Sequence, residues 1–178
     1  AIGLTDGNSR ATPAEMTPLG SDLDGEPFNE SWNYASIVGM LLYVASNSRP
    51  DISYAVHSAA KFTHAPKHSH GVALKRIVWY LIGTKDRGML IRPTEELALD
   101  CYVDADFAGL YKVEDSQDPV CVKSRAGFVI TLGGAPVVWV SKLQTEIALS
   151  TLESEYIALS YAMRTLLPMR LLIEELAD

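Results

Sequence analysis

Four carboxylates in this sequence have the types and spacing to hold a hard cation. Asp104 and Asp106 stand two residues apart in the run Cys101-Tyr102-Val103-Asp104-Ala105-Asp106, and in an extended strand that spacing projects both from one face. Paired oxygen ligands of this kind are what Mg²⁺ requires. For an Asp-x-Asp alone, the competing reading is a strand end running into a solvated acidic loop. The run Ser150-Thr151-Leu152-Glu153-Ser154-Glu155-Tyr156 opens a helix and offers partners. Its expected buried stripe is Leu152, Tyr156, Leu159, Met163 and Leu166. At about 100° per residue, Glu155 lies roughly 70° from the centre of that stripe and Glu153 roughly 90° away on the other side. Glu155 is therefore expected to reach inward at the rim of the core. Glu153, in the first turn, is expected to complete a capping box with Ser150.

Other candidates have simpler explanations. His64, His68 and His70 suggest a metal cluster by number, but they straddle Pro66 and a helix start, and partly exposed helix-end histidines explain them better. Cys101 alternates with Leu99 and Val103 and reads as a core thiol. Trp79 and Trp139 fall in apolar helix and strand patterns and need no ligand. Gly133-Gly134 is a turn and not a phosphate loop, because no helix follows it.

The elements that must position these residues fall into two patterns. Residues 1–28 form an irregular arm of turn chemistry, as in Asp24-Gly25-Glu26-Pro27. A helix is expected from Asn29 to Ser46, capped by Asn29 or Ser31, with Tyr34, Ile37, Val38, Leu41, Leu42 and Ala45 inward. A second is expected from Pro50 to Phe62 on Ile52, Ala55, Val56, Ala59 and Ala60. A third, from His68 to Ile82, uses Val72, Leu74, Ile77, Val78 and Leu81 and stops at Gly83. Residues 29–85 thus make a helical region. After Gly88 the period changes. Met89 to Arg92 reads as a short strand, and a longer one comes next through Leu97, Leu99, Cys101 and Val103. A polar loop then spans Gly109 to Ser124 and includes Glu114 and Asp115. Gly127–Leu132 and Pro136–Ser141 are strands joined by the Gly133-Gly134 hairpin turn. The last helix runs from Ser150 to Leu166, with Pro168 interrupting or kinking the run that continues to Leu176. The chain reads as α+β, a helical region followed over 88–178 by a mixed sheet with a helix.

Composition narrows the function classes. The 178 residues are 48% apolar and 21% charged, as in a globular protein, and the apolar run Ile37 to Ala45 is too short to span a bilayer. The net charge of −7 argues against a general electrostatic grip on nucleic acid, although Lys67, Lys75, Arg76, Lys85 and Arg87 gather in one stretch. No secretory leader opens the chain, and without an initiator Met it reads as an excised fragment.

Several runs, in order, resemble the copia-type retrotransposon polyprotein. Tyr102-Val103-Asp104-Ala105-Asp106-Phe107-Ala108-Gly109 resembles the first strand of its ribonuclease H, and Lys123-Ser124-Arg125-Ala126-Gly127-Phe128 the second. Pro136 to Gln144, then Ile147 to Thr151 with Glu153, Glu155, Tyr156 and Ala158, resemble its third strand and first helix. Trp32-Asn33-Tyr34, Gly39-Met40-Leu41-Leu42-Tyr43, Ser48-Arg49-Pro50-Asp51-Ile52 and Lys75-Arg76-Ile77 resemble the end of its reverse transcriptase. The resemblance implies a ribonuclease H-like sheet for two-metal hydrolysis of RNA in RNA–DNA hybrids, with Mg²⁺ as cofactor. Asp104 and Glu155 would be metal ligands, with Asp106 and Glu153 flanking. Partners would be the hybrid, the upstream polymerase and the downstream half of the ribonuclease H, in the cytoplasm within a virus-like particle, with no membrane. The family's third carboxylate lies on a later strand, beyond Asp178, and Thr165 stands where an acidic residue is expected. By this reading the chain holds about half a site and is inactive alone. The alternatives are a non-catalytic connection or nucleic-acid-binding module, or a decayed remnant.

Overall fold

The computed structural model describes residues 8–94, 97–113 and 117–177. The chain divides into two compact units, Ala1–Met89 with Lys112–Asp115, and Leu90–Tyr111 with Ser116–Asp178.

The first unit is helical. α1 (Tyr34–Asn47) starts where the Asn33 side chain accepts a hydrogen bond from the Ser36 amide. The cap is therefore Asn33, and the expected start at Asn29 or Ser31 is corrected; the carboxamide at 33 satisfies an amide that the helix itself leaves unpaired. Pro50–Ile52 forms a 3-10 turn and α2 covers Ser53–Ala60, so the single helix expected from Pro50 to Phe62 is split and shorter. α3 spans His68–Gly83. Their core is Tyr34, Ile37, Val38, Leu41 and Ala45 of α1, Ile52, Ala55, Val56 and Ala59, and Leu74, Ile77 and Tyr80 of α3. Nearly every inward residue expected from periodicity on α1 and α2 lies in it. On α3, Leu74 and Ile77 are buried and Val78 and Leu81 pack against the core as expected, but Val72 is 51% exposed, and His70, Gly71 and Tyr80 are also buried. The arm over residues 8–26 has neither helix nor strand but is tied down. Pro27 and Lys67 form an isolated antiparallel bridge, the Phe28 amide donates to Pro66 O, and the His68 amide donates to Glu26 O. Residues 1–7 of the expected arm lie outside the described residues.

Arg49 fastens the corner between α1 and α2 to the end of α3. Its Nε and Nη2 fork onto Asp51 at 2.9 and 2.7 Å, while Nη1 and Nη2 donate to Thr84 O and Oγ1 at 3.2 and 2.7 Å. The Tyr80 hydroxyl donates to the same Asp51 carboxylate at 2.6 Å. Hydrogen bonds from Arg49 hold the Asp51 carboxyl below its usual range, and the same contact holds Arg49 charged.

The second unit is a three-stranded antiparallel sheet in the order β1-β2-β3, with one helix on it. β1 is Leu99–Ala105, β2 Arg125–Leu132, β3 Ala135–Leu143 and α4 Thr151–Ala177. Gly133 and Gly134 make the hairpin turn with φ of 55° and 78°, the left-handed values that a two-residue loop of this kind demands. No strand forms over Met89–Arg92, where Leu90 and Ile91 stay exposed. Two apolar side chains without a pairing partner do not suffice, and the segment instead sends the Thr94 amide to Gly133 O. The polar loop after Gly109 contains a 3-10 turn, Pro119–Val122, capped by Asp118, and it buries Leu110 and Cys121. Glu114 and Asp115 of that loop lie outside the described residues.

α4 differs most from expectation. It continues through Pro168 to Ala177, although proline removes one backbone donor. Its buried face is Ser154, Ala158 and Ala162, and Leu152, Tyr156 and Leu159 are exposed. The first three residues of the expected apolar stripe therefore point outward, while Met163 is half-buried and Leu166 packs against the sheet cluster. Small residues at four-residue spacing let the helix backbone approach the sheet, where Leu99, Cys101, Val103, Phe128 and Ile130 pack with Ala162, Leu166 and Met169. Both cysteines are free thiols. Cys101 packs in this cluster, and burial raises its pKa.

Candidate functional site

The register brings the end of β1, the start of β2 and the end of β3 to one end of the sheet. Asp104 pairs with Gly127 and Ala105 with Ala126, while Ala126 pairs in turn with Lys142. Beyond β3 the chain is pinned at this same end. The Gln144 amide donates to Ser124 O, and the buried Gln144 side chain donates through Nε2 to Ser154 O in the first turn of α4. The start of α4 is thus tied to the sheet end where β1 finishes. The other carboxamide atom, Gln144 Oε1, is buried without a partner among the described residues.

The four predicted carboxylates separate into two kinds. Asp106 lies just past β1; its carboxylate accepts from the Arg125 amide at 2.5 Å, and its own amide donates to Arg125 O. The Glu153 carboxylate accepts from the Leu149 amide at 2.7 Å, and the Glu153 amide donates to Ser150 Oγ at 3.1 Å. This is the expected capping box with its acceptor reaching one residue further back. Asp106 and Glu153 are thus committed to backbone amides. The side chains of Asp104 and Glu155 make no hydrogen bond or ion pair among the described residues, and Asp104 is exposed while Glu155 is half-buried. On the helix wheel Glu155 stands about 60° from Ala158, so it lies at the edge of the true buried face although the expected stripe was misplaced.

Asp104 and Glu155 share an end of the sheet but not a face. Val103 and Cys101 pack toward Ala162 of α4, so by alternation Asp104 and the exposed Tyr102 project from the opposite face. Among the described residues no group of three or more His, Cys, Asp or Glu could hold a metal.

The histidine expectation is overturned at one position. His70 is fully buried and stacked on Phe62 at 4.0 Å. Its Nδ1 accepts from the Lys67 amide at 2.9 Å, which leaves Nε2 to donate to Gly20 O at 2.9 Å. It joins arm to helix, because both ring nitrogens are needed where chain polar groups would otherwise be buried unpaired. A cavity of about 650 Å³ opens in the helical unit between the arm and helices α2 and α3, beside Tyr54, Val72, Arg76 and Trp79. None of the four carboxylates lines it. A group that sequence reading missed is Tyr161 with Lys142 and Arg164. Lys142 Nζ lies 5.5 Å and Arg164 Cζ 5.7 Å from the Tyr161 ring centre. The spacing Tyr161–Arg164 on a helix was legible, but nothing in the sequence placed Lys142 beside them.

No family model matches the chain, and no solved structure matches it significantly. Curated proteins do. It is 40% identical over 145 residues to the retrovirus-related Pol polyprotein from transposon RE1 of Arabidopsis thaliana, covering 82% of this chain and 9% of that protein. It is 37% identical over 128 residues to the Ty5-1 transposon protein of Saccharomyces cerevisiae, covering 71% of this chain and 39% of the relative. It is also 37% identical over 129 residues to a secreted RxLR effector protein 161 of Plasmopara viticola, covering 72% of this chain and 85% of the relative. The chain belongs to the family of retrovirus-related Pol polyproteins of copia-type retrotransposons. It spans about a tenth of the length of the plant Pol polyproteins it matches. No described helix is long and apolar enough to cross a membrane.

Proposed function

We propose that this segment supplies the first part of a Mg²⁺-dependent, ribonuclease H-like site that hydrolyses the RNA strand of RNA–DNA hybrids during reverse transcription. Asp104 and Glu155 are the ligands in this reading, and Asp106 and Glu153 hold the backbone on either side. The observation that carries it is the division of the four carboxylates: two are bound to amides, and two stand without partners among the described residues at one end of the sheet. A pair of carboxylates fits Mg²⁺, which is commonly held by one or two of them with water and substrate phosphate completing its shell. A bound ion would supply water activation and stabilisation of the leaving oxygen. The chain's own work is positioning. Asp106 fixes the β1 end against β2, Glu153 fixes the first turn of α4, and Gln144 ties that turn to β3. Further ligands, the polymerase and the rest of the ribonuclease H come from the remainder of the polyprotein, in the cytoplasm within a virus-like particle.

The second reading is a non-catalytic connection module or decayed remnant, favoured by Asp104 and α4 lying on opposite faces of the sheet. Mn²⁺, a paramagnetic stand-in that also favours carboxylates, separates the two readings. Amide NMR signals around Asp104 and Glu155 are expected to broaden together, and Asp104→Asn is expected to abolish the effect at both. Broadening at only one of them, or elsewhere, would favour the connection module.

A further inference from the structure

We infer that Lys142 and Arg164, gathered on the Tyr161 ring, contact the phosphate backbone of the nucleic acid; the inference rests on the hybrid-cleaving function proposed for the chain and names how that substrate is held. Both cations are exposed, and neither side chain makes a hydrogen bond or ion pair among the described residues. Each is held by the ring instead, Lys142 from β3 and Arg164 from α4. Glu146 is the anion at this group, bonded to the Tyr161 hydroxyl at 3.0 Å. Its carboxylate is held below the usual range first by the Thr145 hydroxyl, then by its own amide and Tyr161, with Arg164 adding attraction. Two cations against one carboxylate leave a net positive spot on a chain whose overall charge is −7. By contrast, Arg170 on the same helix is spent on Glu174 at 2.7 Å.

Position supports the assignment. Lys142 lies in register with Ala126, which lies in register with Ala105, the neighbour of Asp104. Two strand spacings place Lys142 about 10 Å from the end of β1, about three nucleotides at roughly 3.4 Å of rise per strand phosphate. Lys142 and Asp104 belong to opposite faces of that sheet end, so a duplex laid across the strand ends, and not along either face, meets both. The stack on Tyr161 restricts two flexible side chains in advance, which lowers the ordering cost of the contact.

The test is binding of a fluorescently labelled RNA–DNA hybrid to the chain without divalent metal, followed by anisotropy across 50 to 200 mM salt. Lys142→Gln combined with Arg164→Gln is expected to flatten the plot of log affinity against log salt by about 2, since each phosphate contact contributes roughly 0.9. At 50 mM salt relative to 200 mM, that is roughly a tenfold loss of the wild-type advantage. Arg170→Gln removes a single charge from the same helix and is expected to leave the slope unchanged, and Lys142→Arg is expected to keep it. Thermal melting of each variant confirms that these exposed substitutions leave the fold intact. An unchanged slope in a folded double variant, or an equal loss from Arg170→Gln, overturns the inference alone. Absence of hybrid binding by the wild-type chain overturns it together with the function it rests on.

Discussion

Replacing Arg49 by Met is expected to destabilise the helical unit by about 2–4 kcal/mol. The substitution removes the fork onto Asp51 and the two bonds to Thr84. Hydrogen bonds to charged groups contribute about 1.5–3 kcal/mol, but the Asp51 side chain is 38% exposed, so solvent screening brings the ion-pair share toward about 1 kcal/mol. Thr84 is only 6% exposed, and its carbonyl left without a donor costs about 1–3 kcal/mol. Urea unfolding followed by tryptophan fluorescence in a Trp139→Phe background reads this unit, because Trp32 and Trp79 lie within it and Trp139 does not. The midpoint is expected to fall without a change in slope. The pH dependence has a definite sign. The Asp51 carboxyl is lowered from its ordinary value of 3.8, so its contribution is present above that value and is lost as pH falls through the folded value. The gap between wild type and variant should therefore be constant near neutrality and narrow in acid below about pH 4, leaving the share that comes from Thr84. A gap under about 0.5 kcal/mol at pH 7, or one that widens in acid, would refute the reasoning.

Three further outcomes rest on the packing. Gly133→Val is expected to cost more than Gly134→Ala, by about 1–2 kcal/mol in thermal melts. Both positions have positive φ, but a Cβ at 133 would stand 3.0 Å from the Thr94 amide nitrogen whereas 134 is open; equal costs would contradict this. Tyr34→Phe is expected to cost about 1 kcal/mol, because the buried Ala59 carbonyl loses the hydroxyl that donates to it. Burial raises the Tyr34 pKa, so the wild-type advantage should persist below about pH 10 and disappear in stronger alkali. Glu153→Gln should lower stability by less than about 1 kcal/mol, since a neutral amide can still accept from Leu149, while Ser150→Ala should cost about 1 kcal/mol.

The elements that were legible were those whose side chains sort cleanly by size and polarity. α1 puts Tyr34, Ile37, Val38, Leu41 and Ala45 inside as its period required, and β1 alternates as Leu99, Cys101 and Val103 demand. Gly133-Gly134 marked its turn because both positions need positive φ. α4 was misread in its first half because Leu152, Tyr156 and Leu159 face outward and the buried face there is Ser154, Ala158 and Ala162; a pattern of large apolar residues passes over small ones, whereas close approach to a sheet selects them. His70 was misplaced because its partners, Gly20 and Phe62, are distant in sequence or invisible to periodicity. Of the site, only the capping role of Glu153 came from a local rule; Asp106 was expected on the strand beside Asp104, and its hydrogen bond to the Arg125 amide depends on a partner 19 residues away. The opposed faces of Asp104 and α4 could not be read, because they depend on which side of the sheet the helix covers.

The central claim is tested most directly by cleavage of a labelled RNA strand in an RNA–DNA hybrid with Mg²⁺, using a Pol polypeptide that carries this segment. Asp104→Asn and Glu155→Gln are each expected to lower the rate by at least about a hundredfold, a loss of roughly 3 kcal/mol of metal-dependent stabilisation. Asp106→Asn and Glu153→Gln are expected to lower it less than about tenfold. Equal loss from all four, or full activity without Asp104, would contradict the assignment.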